Sequence, residues 1–209
     1  MDNENQPIVI SYLRLRKLLG TLGILLPVFL VVGVALFSAD DHFQPSISDY
    51  YHTDMRDVFV GFMIGFSFFL FTYSGYKGDR IFTALAGIAA MGVAFFPTAE
   101  EGADCNLICT IHFICGVVFF LVLSIISFFL FVKSDQLPED LGEKKKNRNR
   151  IYRICGIIMF ICLVIMALYF QIFEDDWPKT TIFWGETIAL WAFGVSWLVK
   201  GEAISILND

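Results

Sequence analysis

The chain has 209 residues, 56% of them hydrophobic and 17% charged, with 23 Phe and a mean hydropathy of +0.66. That balance belongs to a membrane protein: at roughly 20 residues per crossing, six spans take about 120 residues and leave only short connections. No length remains for a Rossmann-type enzyme or an extended nucleic-acid-binding domain, and a formal charge of -6 argues against nucleic acid as a partner.

In chain order, apolar runs bounded by charges or turn residues predict helices over 18–37, 58–76, 81–97, 107–132, 151–173 and 181–199. The expected architecture is all-α: one transmembrane domain, 1–209, built as a bundle of six transmembrane helices. The first run follows Arg14, Arg16 and Lys17 as a signal peptide would, but it is longer than a usual apolar core of that kind. Bulky Phe37 also stands where a cleavage site prefers a small residue, so the run reads as a retained helix. The third run is short and stops at Pro97.

The basic residues set the expected orientation, because cytoplasmic connections retain Lys and Arg. With the N-terminus inside, Arg14, Arg16, Lys17, Lys77, Arg80, Lys133, Lys144, Lys145, Lys146, Arg148, Arg150, Arg153 and Lys200 fall on one side, against Arg56 and Lys179 on the other. Both termini are therefore expected in the cytoplasm. The outer connections carry Asp40, Asp41, Asp49, Asp54, Asp57, Glu100, Glu101, Asp104, Glu174, Asp175 and Asp176. The charged stretch from Asp135 to Arg150 reads as a determinant of topology.

Ionisable groups within a bilayer need a partner or a purpose. His112 in the fourth run and Glu186 in the sixth lie at similar depth from the outer side, with Asp57 at the outer mouth of the second. The segment Gln44 to Asp57 is the densest run of hydrogen-bonding side chains in the sequence. These residues predict an outward-facing polar cavity with His112, Glu186 and Asp57 as its floor and as the candidate catalytic groups. Ser46, Ser48, Asp49, Tyr50, His52 and Arg56 are its expected headgroup contacts. Arg supplies a fork suited to phosphate.

Two metal sets are open to the sequence. His52 and His112 with Asp57 or Glu186 suit zinc with a position left for water, which is the chemistry of an amide or ester hydrolase. Cys105, Cys109 and His112 share one helix face and form a soft-metal half-site, although no HExxH, CxxC or HxxxH accompanies them. Ser46, Ser48 and Ser67 sit in no nucleophile elbow. Small residues recur at helical spacing as Asp57, Gly61 and Gly65, as Thr83, Gly87, Ala90 and Ala94, and as Gly185, Ala189, Ala192 and Ser196, and predict close helix packing.

Pro45-Ser46-Ile47-Ser48-Asp49, Phe95-Phe96-Pro97-Thr98, His112 with Phe119-Phe120, and Glu186 together resemble the bacterial membrane proteins grouped as domain of unknown function 998. The arrangement is also similar to the DRAM-like family, and more weakly to the superfamily of alkaline ceramidases and adiponectin receptors. The first two resemblances imply six helices, an outward-facing polar site and a place in the plasma (inner) membrane; the third implies zinc. The expected function is to bind a lipid headgroup or small amphiphile, with membrane lipids as partners and self-association left open. The alternatives are a zinc-dependent lipid amidase or esterase and a structural or assembly protein.

Overall fold

A computed structural model describes residues 6–38, 43–73, 78–100, 102–134, 137, 141–173 and 177–207. Asp40, Asp41, Lys77, Glu101, Asp135, Glu174, Asp175 and Asp176, counted above among the connecting charges, lie outside the described residues.

Six α-helices account for most of the described chain, which contains no strand: α1 (Gln6–Phe37), α2 (Arg56–Thr72), α3 (Asp79–Phe95), α4 (Leu107–Ile125), α5 (Glu143–Leu168) and α6 (Thr181–Lys200). Single π-helical turns, Ile126–Leu130 and Tyr169–Phe173, continue α4 and α5. Four helical segments are long and apolar enough to cross a membrane: Tyr12–Phe37, Leu107–Leu130, Glu143–Ile172 and Thr181–Lys200. By contrast α2 and α3 have 17 residues each, about 25 Å at 1.5 Å per residue against a hydrocarbon core of about 30 Å.

Two boundaries differ from the sequence reading for one physical reason. Polar and charged residues such as Lys and Arg are good helix formers, so α1 is already helical at Gln6, the first described residue, and α5 starts at Glu143, carrying the basic stretches as helix instead of loop.

The helices form a closed ring in chain order, each packed on the next and α6 returning to α1. At the closing contact the two backbones nearly touch: a Cβ on Gly20 would meet the Gly194 carbonyl oxygen at 2.7 Å, and one on Gly194 would meet that of Gly20. Pro27 denies the Gly23 carbonyl its usual helical donor, and beside that break the Trp191 indole N–H donates across to the Ile24 carbonyl at 3.2 Å. Between α4 and α5, Ser124 and Ser127 donate to the carbonyls of Gly156 and Tyr152.

Aromatic rings fill the centre. Phe66 of α2 meets Phe119 of α4 and Phe193 of α6, with ring centroids 6.4 and 5.7 Å apart. Of the three small-residue stripes, two are covered: Gly87 faces α2 at Ser67 and Phe71, and Gly185 faces Met166 of α5. The third is corrected, since a Cβ on Gly61 or Gly65 would meet nothing within 4 Å. These glycines lie on the side of α2 opposite Phe59, Met63, Phe66 and Leu70, which spend that helix's packing on the core.

The ring has two unlike ends. One gathers Arg16, Asp79, Lys133, Arg148 and Lys200 and is called here the basic end. The other is closed by residues 43–55 and is called the lid end.

Candidate functional site

The lid is built around a short 3-10 turn, Ser48–His52, whose first backbone N–H groups have no partner within the turn. The Ser46 hydroxyl accepts from Asp49 N at 3.0 Å. Glu186, projecting from the second turn of α6, supplies the rest: its Oε2 accepts from Ile47 N at 2.6 Å and its Oε1 from the Ser48 hydroxyl at 3.3 Å. A carboxylate set at the start of a helical turn also meets the positive end of the peptide dipoles. The exchange is mutual, because Phe183 N, in the unpaired first turn of α6, donates to the Pro45 carbonyl at 2.8 Å. Pro45-Ser46-Ile47-Ser48 is thus a clip, each residue of which is spent on joining the lid to α6 or on shaping it.

Beyond the clip, Ile47 and Tyr50 are buried and hold the lid in the bundle as apolar pegs, and the Tyr50 ring lies 6.4 Å from that of Phe183. Burial pushes the Tyr50 phenol above its ordinary value, so it stays neutral. Met55 packs its sulfur on Gly33, and the Ser38 hydroxyl donates to Asp54 at 2.9 Å, fastening the lid to α1.

The two histidines serve a second loop. Pro97 ends α3, leaving late carbonyls of that helix without helical donors. His112, buried in α4, donates from Nδ1 to the Phe96 carbonyl at 2.6 Å. His52 of the lid donates from Nε2 to the Thr98 carbonyl at 3.0 Å, with the Thr98 hydroxyl at 3.2 Å. The tautomer of each ring follows from having a carbonyl as partner.

Ser46, Ser48, Asp49, Tyr50, His52, His112 and Glu186 therefore share the lid end. No hydrogen bond is found between His112 and Glu186; the Asp49 carboxylate lies within electrostatic reach of both. Asp57 does not join them as a floor. It is exposed in the first turn of α2. Arg56, also exposed, has its guanidinium carbon over the Tyr51 ring, 4.4 Å from the centroid, and donates to the Tyr51 hydroxyl at 2.7 Å.

No three His, Cys, Asp or Glu side chains among the described residues stand as a group able to hold a metal ion. The His52 and His112 nitrogens that donate to carbonyls carry hydrogen and are not ligand atoms there. Cys105 and Cys109 are joined as a disulfide across the first turn of α4, which takes away the thiolates of the sulfur half-site. The helical spacing that placed them on one face is also what brings them within bonding reach.

Sequence reasoning missed the partners more than the residues. Loop carbonyls of Phe96 and Thr98 leave no signal in residue type, whereas Tyr51 five positions before Arg56 was available as an aromatic platform. No known protein family, curated protein or solved structure matches the chain.

Proposed function

We propose that the chain is an integral membrane protein that crosses the bilayer six times, with both termini in the cytoplasm of a bacterial-type inner membrane, and that its outward-facing lid end takes a lipid headgroup or another small amphiphile. Two features support the orientation. The basic end matches the cytoplasmic retention of Lys and Arg, and the Cys105–Cys109 disulfide sits at the opposite end, where an oxidising compartment keeps such bonds. The modest length of α2 and α3 is compatible with crossing, since a bilayer thins locally at a cost of fractions of a kcal/mol per Å.

The observation that carries the ligand reading is Arg56. Its guanidinium is exposed at the edge of the lid and braced on Tyr51, which engages one of its donors and leaves the rest of a planar fork suited to a phosphate. Asp49, partly exposed beside the clip, offers an acceptor to an ammonium or hydroxyl of the same headgroup. His112 and Glu186 are positioning residues in this reading, holding the loops that present Arg56 and Asp49.

Native mass spectrometry of protein released from mild detergent tests the proposal. The wild type is expected to retain about one phospholipid per chain more than Arg56→Ala. A second reading, a bundle whose polar groups serve only to lock it, draws on the fact that the hydrogen bonds of Glu186 and His112 all run to the chain itself. Under that reading no lipid is retained by either protein, or lipid is retained equally by both.

A further inference from the structure

The basic end holds a second, independent feature. Arg16 of α1 and Lys200, the last residue of α6, are both partly buried and meet directly: Arg16 Nη1 donates to the Lys200 carbonyl at 3.2 Å. The Arg16 guanidinium lies 4.3 Å from the Tyr12 ring centre and 5.5 Å from that of Tyr73. The π-helical turn after α4 brings Phe131 into the same cluster, where Lys200 Nζ donates to its carbonyl at 3.1 Å and lies 5.3 Å from its ring and 5.6 Å from that of Tyr152.

The charge around this pair leans to the cationic side, with Glu202 acting on the neighbouring Tyr152 as one of the few acids there. Lys145 and Arg148 stand within electrostatic reach of Lys200, adding like charge to that of Arg16. The nearby carboxylate, Asp79, is bonded to Lys133. Neither Arg16 nor Lys200 forms an ion pair with a described acid, and the Arg16 Nε is buried without a hydrogen-bond partner. Ring faces and carbonyl dipoles attract a cation but carry no net charge. They leave the mutual repulsion of two partly desolvated cations unneutralised, and an anion bound between them removes it.

We infer that Arg16 and Lys200 form an anion site at the basic end that takes a phosphate group, in the form of an anionic lipid headgroup or a free phosphate. The guanidinium fork and the ammonium together match the several acceptor oxygens of a phosphate, and the aromatic wall of Tyr73, Phe131, Tyr152 and Trp197 shields the pair from water on its inner side. The site rests on none of the residues of the lid, so it stands or falls apart from the function proposed above.

The test is the thermal stability of the full chain in neutral detergent, with inorganic phosphate against chloride at matched ionic strength, and with phosphatidylglycerol against phosphatidylcholine in mixed micelles. A rise in Tm of about 2–4 °C is expected with the anion and is expected to vanish in Arg16→Gln and Lys200→Met. A rise with phosphate identifies a free anion as sufficient; a rise with phosphatidylglycerol alone identifies the lipid headgroup. Lys200→Arg keeps the charge and is expected to keep the rise, which guards against misreading a folding defect in Lys200→Met. No rise with either probe, or an equal rise in the charge-removing variants, overturns the inference.

Discussion

The two ends of the ring solve opposite problems with the same currency of hydrogen bonds. At the lid end the ionisable group is the Glu186 carboxyl and the groups in want of partners are donors, so its oxygens are spent on Ile47 N and the Ser48 hydroxyl. At the basic end the charges are cations and the groups in want of partners are helix-terminal carbonyls, so Arg16 and Lys200 are spent on Lys200 O and Phe131 O. The difference lies in what remains. The Glu186 carboxylate meets two donors at close range, whereas the two cations share rings and dipoles that leave a net charge unmatched. A buried ionisable group is thus no sign of a ligand site by itself; the remainder after its own chain has been served is what distinguishes structure from recognition.

The largest effect is expected at the basic end. Trp197, buried against Tyr73, Phe131 and Phe193, should cost about 3–5 kcal/mol on Trp197→Ala. Unfolding in detergent measures this, and a loss below about 1 kcal/mol would show that the aromatic cluster is not a packed core.

Next in size is the clip. Glu186→Ala removes the acceptor of Ile47 N and the Ser48 hydroxyl and should cost about 1–3 kcal/mol, the range for leaving a buried donor without its partner. Glu186→Gln, which keeps one acceptor, should lose less. Limited proteolysis within residues 43–55 should speed up in the first variant and hardly in the second; equal resistance in all three proteins would remove Glu186 from its role as the fastening of the lid.

Smaller still is a contrast between glycines. Gly194→Ala drives a methyl into the Gly20 carbonyl, and overpacking of this kind costs about 1–3 kcal/mol. Gly61→Ala enters open space and should stay within about 0.5 kcal/mol of wild type. Comparable losses for both would mean that the Gly61 side of α2 is covered by another helix.

Much of the architecture was legible because hydrophobicity is a property of single residues that adds along a helix. The six apolar runs of the sequence each overlap one of α1 to α6, and the concentration of Lys and Arg at alternate connections became one end of the bundle. The lid was legible as a dense polar segment, and helix order and depth were enough to set Ser46, Ser48, Asp49, His52, His112 and Glu186 at one end of the bundle, the end at which the structure has them. Their bonding was not legible, since it depends on which backbone atoms a helix end leaves free: Phe96 O awaits His112 only because Pro97 stops α3 there. Asp57 was misplaced for the converse reason. A one-residue step along a helix turns a side chain by about 100°, and the turn that sends Phe59 and Met63 to the core leaves Asp57 outside. The basic end escaped notice because Arg16 and Lys200 are 184 residues apart, and each taken alone is an ordinary flanking charge of a span.

The central claim is that the lid end receives the ligand and that Arg56 reads it. Hydrogen exchange of the full chain in nanodiscs of a phospholipid, compared with the same protein delipidated in detergent, tests it most directly when wild type and Arg56→Ala are run together. The account predicts that lipid slows exchange in residues 46–56 of the wild type and that this protection is lost in Arg56→Ala, with the central turns of α6 unchanged. Equal protection of residues 46–56 in both proteins, or none in either, would contradict it.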